Sequence, residues 1–148
     1  MRLEELNLRG GGLLTGYRRD GVETVPLAME RPLVLVVPGG GYSHVGAREG
    51  DPGALQFAAA GYHTAVLRYA VGDDAAPGLP LRQLAAATGL VRQHAAQWHV
   101  LPAKNAVCGV SAGGHLALSG AVPAGTGPPG PPPPNAATLR HPATTAGR

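Results

Sequence analysis

Three segments of the chain are rich in apolar residues and are short enough to be strands. Residues 33–37 are five consecutive apolar residues, and residues 64–69 and 106–110 are further runs that are mostly apolar. Runs of this kind are typical of strands that are buried on both faces of a parallel sheet. The pattern therefore predicts three core strands.

A helix is predicted between the first two of these strands. Residues 52–60 suit a helix with Asp51 as its N-cap and Pro52 at its first position, and Gly61 ends it. The charges of Glu49 and Asp51 are interpreted as those of a helix start, where carboxylates interact favourably with the helix dipole.

A second helix follows a polar, proline-bearing loop at residues 72–80. Its predicted apolar face recurs at three- and four-residue steps, which are the steps of one helical face: Leu81, Leu84, Thr88, Val91, Ala95 and Trp98. A third helix is predicted at residues 115–119. Successive β-α-β units of this kind require a parallel sheet with right-handed crossovers.

The first residues predict a different arrangement. Residues 3–8 and 13–17 are separated by three consecutive glycines, and they are interpreted as a leading antiparallel hairpin. The predicted fold class is therefore α/β, with a doubly wound and mainly parallel sheet.

The third core strand runs directly into the motif Gly-x-Ser-x-Gly at residues 109–113. This motif is typical of a nucleophile elbow, a sharp strand-to-helix turn that presents a serine hydroxyl above the sheet. The helix N-terminus that follows favours developing negative charge. The motif predicts Ser111 as the nucleophile of acyl-transfer chemistry.

A second glycine motif follows the first core strand. Residues 38–41 read Pro-Gly-Gly-Gly, and glycines allow peptide N–H groups to approach a substrate oxygen without a side chain in the way. We expect the N–H groups of Gly40 or Gly41, together with that of Ala112, to form an oxyanion hole.

Three segments carry a resemblance to a known family: residues 38–52, 59–71 and 106–119. In order and spacing they resemble α/β-hydrolases of the acetyl-esterase and lipase-like branch, which is related to feruloyl and acetylxylan esterases. The resemblance implies the α/β-hydrolase fold and ester hydrolysis. Pro38 departs from it, because many relatives carry a histidine at this position.

The same resemblance implies a catalytic acid and a histidine after the serine. No Asp or Glu follows Ser111, and the histidines after it are His115 and His141. We interpret His115 as a packing residue beneath Ser111, and His141 as a residue with no acid partner. The sheet is therefore expected to be incomplete on its C-terminal side. Tyr42 and His44 are candidate substrate-pocket residues.

Composition narrows the remaining functions. The chain has 148 residues and no apolar run long enough to span a membrane. The N-terminus lacks the apolar region of a secretory signal, so cytoplasmic residence is expected. The single cysteine, Cys108, is interpreted as an inert, buried packing residue. No cofactor or metal is expected.

Charge and glycine spacing argue against two other classes of function. The net charge is +3, and all nine acidic residues lie at or before Asp74. Nucleic-acid binding is not expected, because the basic second half contains Trp98 as its only aromatic residue. The glycines at 39–41 do not complete the Gly-x-Gly-x-x-Gly pattern of a dinucleotide site.

The C-terminal part of the chain differs in composition from the rest. Residues 1–124 are predicted to be the N-terminal portion of the hydrolase domain, residues 125–134 a Pro/Gly-rich linker or loop, and residues 135–148 a degenerate strand with a loose tail. A sheet that ends soon after the nucleophile helix would expose an edge, so self-association through that edge is expected.

Two functions remain open. In the first, the chain is a serine hydrolase of carboxylic esters that acts on a small-molecule ester. In the second, it is a catalytically inactive, truncated hydrolase that survives as a binding module or as a fragmentary gene product.

Overall fold

The computed structural model describes residues 1–19 and 30–121. The described strands are β1 (Arg2–Asn7), β2 (Leu13–Arg18), β3 (Arg31–Val37), β4 (His63–Arg68) and β5 (Val100–Gly109). The described α-helices are α1 (Asp51–Ala59), α2 (Leu79–Gln93) and α3 (Ala112–Ala121), and a short 3₁₀ helix spans Gly72–Asp74. The predicted linker and tail, and His141, lie outside the described residues.

The five strands form one sheet in the order β1-β2-β4-β3-β5. Strand β3 is parallel to β4 and to β5, whereas β2 is antiparallel to β1 and to β4. The predicted hairpin and the three predicted core strands are thus confirmed, and the fold class is α/β. Strand β5 lies at one edge of the described sheet, and self-association through it stays a prediction.

Strand β3 is buried on both faces, as its unbroken apolar run requires. Side chains alternate across a strand, so Leu35 and Val37 join a core with α2 and α3, while Val34 and Val36 join a second core with Ala54 of α1. The helices therefore cover both faces of the parallel strands. This arrangement places the carboxyl ends of β3 and β5 side by side.

The start of α1 differs from the prediction. The N-cap is Gly50, with no side-chain capping hydrogen bond, so the assignment of Asp51 as N-cap is wrong. Both carboxylate oxygens of Asp51 instead accept hydrogen bonds from Arg68, at 2.8 and 2.6 Å. A guanidinium offers a carboxylate stronger, charge-assisted hydrogen bonds than a backbone amide does.

Helix α2 begins within the predicted loop and ends before the predicted face does. Pro80 lies in its first turn, where proline is tolerated because the amide there has no intrahelical partner. The helix ends at Gln93, so Ala95 and Trp98 belong to the following turn, although both are buried as predicted.

Within the described residues, every helix is too short or too polar to cross a membrane.

The helix also buries a polar residue that the apolar pattern did not reveal. Gln83 is fully buried, and its Oε1 accepts the N–H of Ala70 at 2.7 Å. Its Nε2 donates to the carbonyl oxygens of Gly10 and Gly11, at 3.1 and 2.7 Å. One side chain thus connects α2 to the glycine turn of the leading hairpin and to the end of β4.

Gln83→Ala is therefore expected to lower the free energy of unfolding by about 2 kcal/mol, because a fully buried side chain and its three hydrogen bonds to the backbone are lost. Gln93→Ala, at the exposed end of the same helix, is the matched control and should change it by less than about 0.5 kcal/mol. Urea unfolding followed by circular dichroism measures both. Equal effects of the two substitutions would contradict this role of Gln83.

Candidate active site

Ser111 lies in the turn between β5 and α3. Its φ is +51°, in the left-handed region that non-glycine residues rarely adopt. The turn is closed by hydrogen bonds from Gly113 N–H to Val110 O, at 2.8 Å, and from His115 N–H to Ser111 O, at 3.0 Å. Ser111 is exposed. Its strained backbone and its exposure are the geometry that the Gly-x-Ser-x-Gly motif predicts.

The flanking glycines are required by close backbone contacts. A Cβ at Gly109 would lie 2.3 Å from the carbonyl oxygen of Gly113, and a Cβ at Gly113 would lie 2.0 Å from that of Val37. Helix α3 therefore starts in direct contact with the end of β3. The two sets of contacts together explain why the motif has a glycine on each side of the serine.

The glycine loop after β3 lies beside the serine. The amide N–H of Val110 donates to Val37 O at 3.1 Å, and a Cβ at Gly39 would lie 2.9 Å from the Cβ of Ser111. Gly40 and Gly41 have φ values of +127° and +61°. The two sequence motifs thus meet at one site.

The three amides predicted to form the oxyanion hole have no partner in the described part of the chain. Among its hydrogen bonds, none uses the N–H of Gly40, Gly41 or Ala112. The carbonyl oxygen of Gly40 is occupied, since it accepts from the amides of Ser43 and His44 and from the Ser43 hydroxyl. The loop therefore folds back through its carbonyl groups and leaves these N–H groups available.

His115 does not lie where the sequence placed it. It is exposed, and its Nδ1 lies 2.8 Å from the hydroxyl of Tyr42, so its prediction as a packing residue beneath Ser111 is wrong. Four residues along a helix correspond to a rotation of only about 40°, so position 115 lies on nearly the same face as the exposed serine. The buried position is that of Leu116.

Tyr42 connects the glycine loop to both helix α3 and the core. Its φ is +60°, and its carbonyl oxygen accepts the N–H of Gly72 at 2.7 Å. Its half-buried ring contacts those of Tyr69 and His115 in edge-on geometry, with centroid distances of 6.0 and 5.9 Å. Burial raises the pKa of its phenol. His44 is exposed near the same loop, and its Nδ1 lies 3.1 Å from the Ser43 hydroxyl.

Glu49 is the site residue that sequence reasoning missed. Its Oε2 accepts the N–H of Gly39 at 2.6 Å. A hydrogen bond between residues ten positions apart in two loops leaves no periodic signal.

Tyr69 is hydrogen-bonded to the start of the glycine loop. Its hydroxyl donates to Pro38 O at 2.8 Å. Burial, with smaller effects of Tyr42 and Glu49, raises the pKa of this phenol to about 12, from an ordinary value of about 10. The folded state therefore binds this proton more tightly than the unfolded state does.

The stability that this proton provides is complete below pH of about 10, and it is lost as the pH rises from about 10 to about 12. We expect the urea midpoint of the natural chain to fall more steeply over this interval than that of Tyr69→Phe, which has no phenol to ionise there. Parallel midpoint curves for the two proteins would rule out this contribution of Tyr69.

Comparison with known proteins identifies the family to which this chain belongs. A family model described as BD-FAE matches residues 26–126, which is more than half of the 148-residue chain. The chain belongs to the BD-FAE family. The match includes the glycine loop, the elbow and all three parallel strands.

Solved structures similar to this BD-FAE chain are α/β-hydrolases and esterases. The α/β-hydrolase MGS-M1, from a Medee basin deep-sea metagenome library, has 37% identity and a TM-score of 0.78, over 87% of this chain and 54% of that chain. The carboxylesterase Cest-2923 from Lactobacillus plantarum WCFS1 has 33% identity and a TM-score of 0.72, over 78% and 44%. The chain thus spans about half the length of these proteins.

Two further relatives act on carbohydrates or their esters, according to their names. An acetyl ester-xyloside bifunctional hydrolase from Caldicellulosiruptor lactoaceticus has 32% identity and a TM-score of 0.68, over 75% of this chain and 38% of that chain. Endo-1,4-beta-xylanase B of Butyrivibrio fibrisolvens is 32% identical over 97 residues, which are 64% of this chain and 15% of the xylanase. These likenesses place the BD-FAE chain among α/β-hydrolases of the carboxylesterase type.

Two other sequence predictions concern the chemistry of the BD-FAE chain. Cys108 is a free thiol and only half-buried, because β5 lies at the sheet edge; it packs against one of the two cores. Its predicted packing role is thus confirmed, although its burial is only partial. No group of three or more His, Cys, Asp or Glu residues that could hold a metal ion occurs within residues 1–19 and 30–121.

Proposed function

We propose that this chain carries the nucleophile and the oxyanion hole of a carboxylic-ester hydrolase. The observation that supports this most strongly is the strained, exposed Ser111 beside a loop whose amides have no partner among the described residues. Strain of this kind is concentrated at functional sites. Family membership supports the same chemistry.

The proposed reaction begins with attack of Ser111 Oγ on the ester carbonyl carbon. The carbonyl oxygen becomes negatively charged, and the N–H groups of Gly40 or Gly41 and of Ala112 donate to it. The hydroxyl proton passes to a base and then to the departing alcohol as the carbon–oxygen bond of the ester breaks. Water then attacks the acyl-serine by the same route and releases the acid.

These proton transfers need a base that accepts the Ser111 hydroxyl proton. No Asp or Glu follows Ser111 in the sequence, and His115, next to the serine turn, is hydrogen-bonded to Tyr42. This observation favours the second candidate function, an inactive hydrolase that binds an ester or a related small molecule without efficient turnover. The chain also spans only 54% of the solved α/β-hydrolase MGS-M1.

The proposed substrates are small acyl esters, including acetyl and feruloyl esters of carbohydrates. The names of the two carbohydrate-related relatives support acetyl esters of xylose-containing carbohydrates, and the sequence resemblance to feruloyl esterases supports the feruloyl esters. Tyr42 and His44 border the glycine loop, and we propose them as contacts for the substrate. The proposed chemistry needs neither a cofactor nor a metal.

The two candidate functions are separated by hydrolysis of p-nitrophenyl acetate and methyl ferulate by the 148-residue chain. An oxyanion hole without an activated serine is expected to give a rate on the order of 10³- to 10⁴-fold over water. Saturable calorimetric binding of methyl ferulate without any hydrolysis would favour the binding module. Turnover at about 10 s⁻¹, an ordinary enzyme rate, would mean that the chain contains an effective base.

A further inference from the structure

The Glu49 carboxylate and the Ser111 side chain both lie beside Gly39 of the glycine loop. Its Oε2 accepts the N–H of Gly39 at 2.6 Å. A Cβ at Gly39 would lie 2.8 Å from this oxygen and 2.9 Å from the Cβ of Ser111. The carboxylate and the serine side chain are therefore both within 3 Å of one point, the space that Gly39 leaves open.

The backbone around Glu49 holds the carboxylate in this place. Gly46 donates its N–H to Gly39 O at 2.8 Å, and Glu49 donates its own to Gly46 O at 3.2 Å. A Cβ at Gly46 would lie 3.2 Å from Glu49 Oε2, so the side chain packs closely against this segment. The position of the half-buried carboxylate is thus set by the loop itself.

Pro38, which precedes the three glycines, cannot hold the loop through its own side chain or through a backbone N–H. Pro38 has no N–H and no polar side chain, and only its carbonyl oxygen is used, by Tyr69. The peptide between residues 38 and 39 therefore needs a partner for the Gly39 N–H. Glu49 is that partner.

We propose that Glu49 is the positioning residue of the oxyanion loop. Its carboxylate fixes the Gly39 amide, so that the next two amides, of Gly40 and Gly41, face the substrate oxygen above Ser111. The inference rests on the proposed function. Oxyanion donors are effective when they are preorganised, and a hydrogen bond to a carboxylate is stronger than one to a neutral acceptor.

A positioning role of Glu49 and a direct electrostatic effect of its charge predict opposite changes in the rate of hydrolysis when the charge is removed. A fixed negative charge near a developing oxyanion would slow the reaction, so removing the charge would then raise the rate. If Glu49 acts by positioning, removing the acceptor lowers the rate, and a neutral acceptor of the same shape restores it. Glu49→Ala and Glu49→Gln separate the two effects.

The test measures residual p-nitrophenyl acetate hydrolysis, thermal midpoints and hydrogen exchange of peptides covering residues 38–46. We expect Glu49→Ala to lower kcat/KM between about tenfold and 10²-fold, mainly through kcat, as a misplaced catalytic group does. Exchange of residues 38–46 should become faster. Glu49→Gln should restore most of both losses. Asp74→Ala, which removes an exposed carboxylate, is the matched control and should change neither.

Several results would overturn the proposal. Among them are an unchanged rate in Glu49→Ala, a loss in Glu49→Gln as large as in Glu49→Ala, and a loss that merely follows the unfolded fraction at the assay temperature. Failure of the proposed function looks different, because the natural chain and Gly41→Leu would then both hydrolyse the ester at the buffer rate. In that case unchanged exchange in Glu49→Ala would overturn the positioning of the loop, and faster exchange there, restored in Glu49→Gln, would support it.

Discussion

Gly41→Leu is expected to lower the residual hydrolysis of p-nitrophenyl acetate about 10²- to 10³-fold, the usual cost of losing one oxyanion donor. Gly41 is exposed, and no heavy atom lies within 4 Å of the place that a Cβ would occupy. The Cβ of a leucine would therefore meet no neighbouring group, and the cost of the substitution to the fold is the backbone strain at a φ of +61°. The leucine side chain would stand beside the amide that is proposed to meet the substrate oxygen.

Gly41 is a better position for this test than Gly40. A Cβ at Gly40 would lie 2.0 Å from the carbonyl oxygen of His44, so any loss of rate would include a distorted backbone. Gly11→Leu is the matched control, because Gly11 also has a positive φ, +83°, and lies in the distant hairpin turn. Similar strain there should leave the rate unchanged. An unchanged rate in Gly41→Leu would remove Gly41 from the proposed oxyanion hole.

The second large effect is expected from Gly113→Ala, which should lower the free energy of unfolding by about 3 kcal/mol or more. The added methyl group would lie 2.0 Å from Val37 O and 2.5 Å from Pro38 O. Neither oxygen can move freely, since Val37 ends a central strand and its carbonyl accepts the N–H of Val110. Helix α3 would have to shift away from β3.

Gly89→Ala provides the matched control for this prediction. Gly89 lies inside α2, and no heavy atom is within 4 Å of its Cβ position. The same chemical change should there stabilise the protein by up to about 1 kcal/mol, through helix propensity. Urea unfolding measures both variants. A Gly113→Ala protein with the same free energy of unfolding as the natural chain would contradict the tight contact between the serine turn and β3.

Local patterns predicted the strands and the position of the site. The run at residues 33–37 is buried on both faces, and the glycine motifs after β3 and β5 meet because the carboxyl ends of neighbouring parallel strands lie together. Both inferences depend on periodicity and on the geometry of parallel sheets. These properties are determined over a few consecutive residues.

The polar contacts that complete the site could not be predicted in this way. Glu49, Asp51 and Gln83 each bond to groups that are ten or more residues away, and such pairings depend on the folded loops. His115 was misplaced because the apolar pattern of α3 does not show which face of the helix is covered.

The site of fluorophosphonate attachment tests the central claim most directly. Mass spectrometry of the 148-residue chain should find the adduct on Ser111, forming slowly and forming faster when imidazole is added as an external base. Ser43 and Ser119, which lack the positive φ of Ser111, should remain unmodified and serve as controls within the same chain. An adduct spread equally over the three serines, or none on Ser111 even with imidazole, would contradict the assignment of Ser111 as the nucleophile.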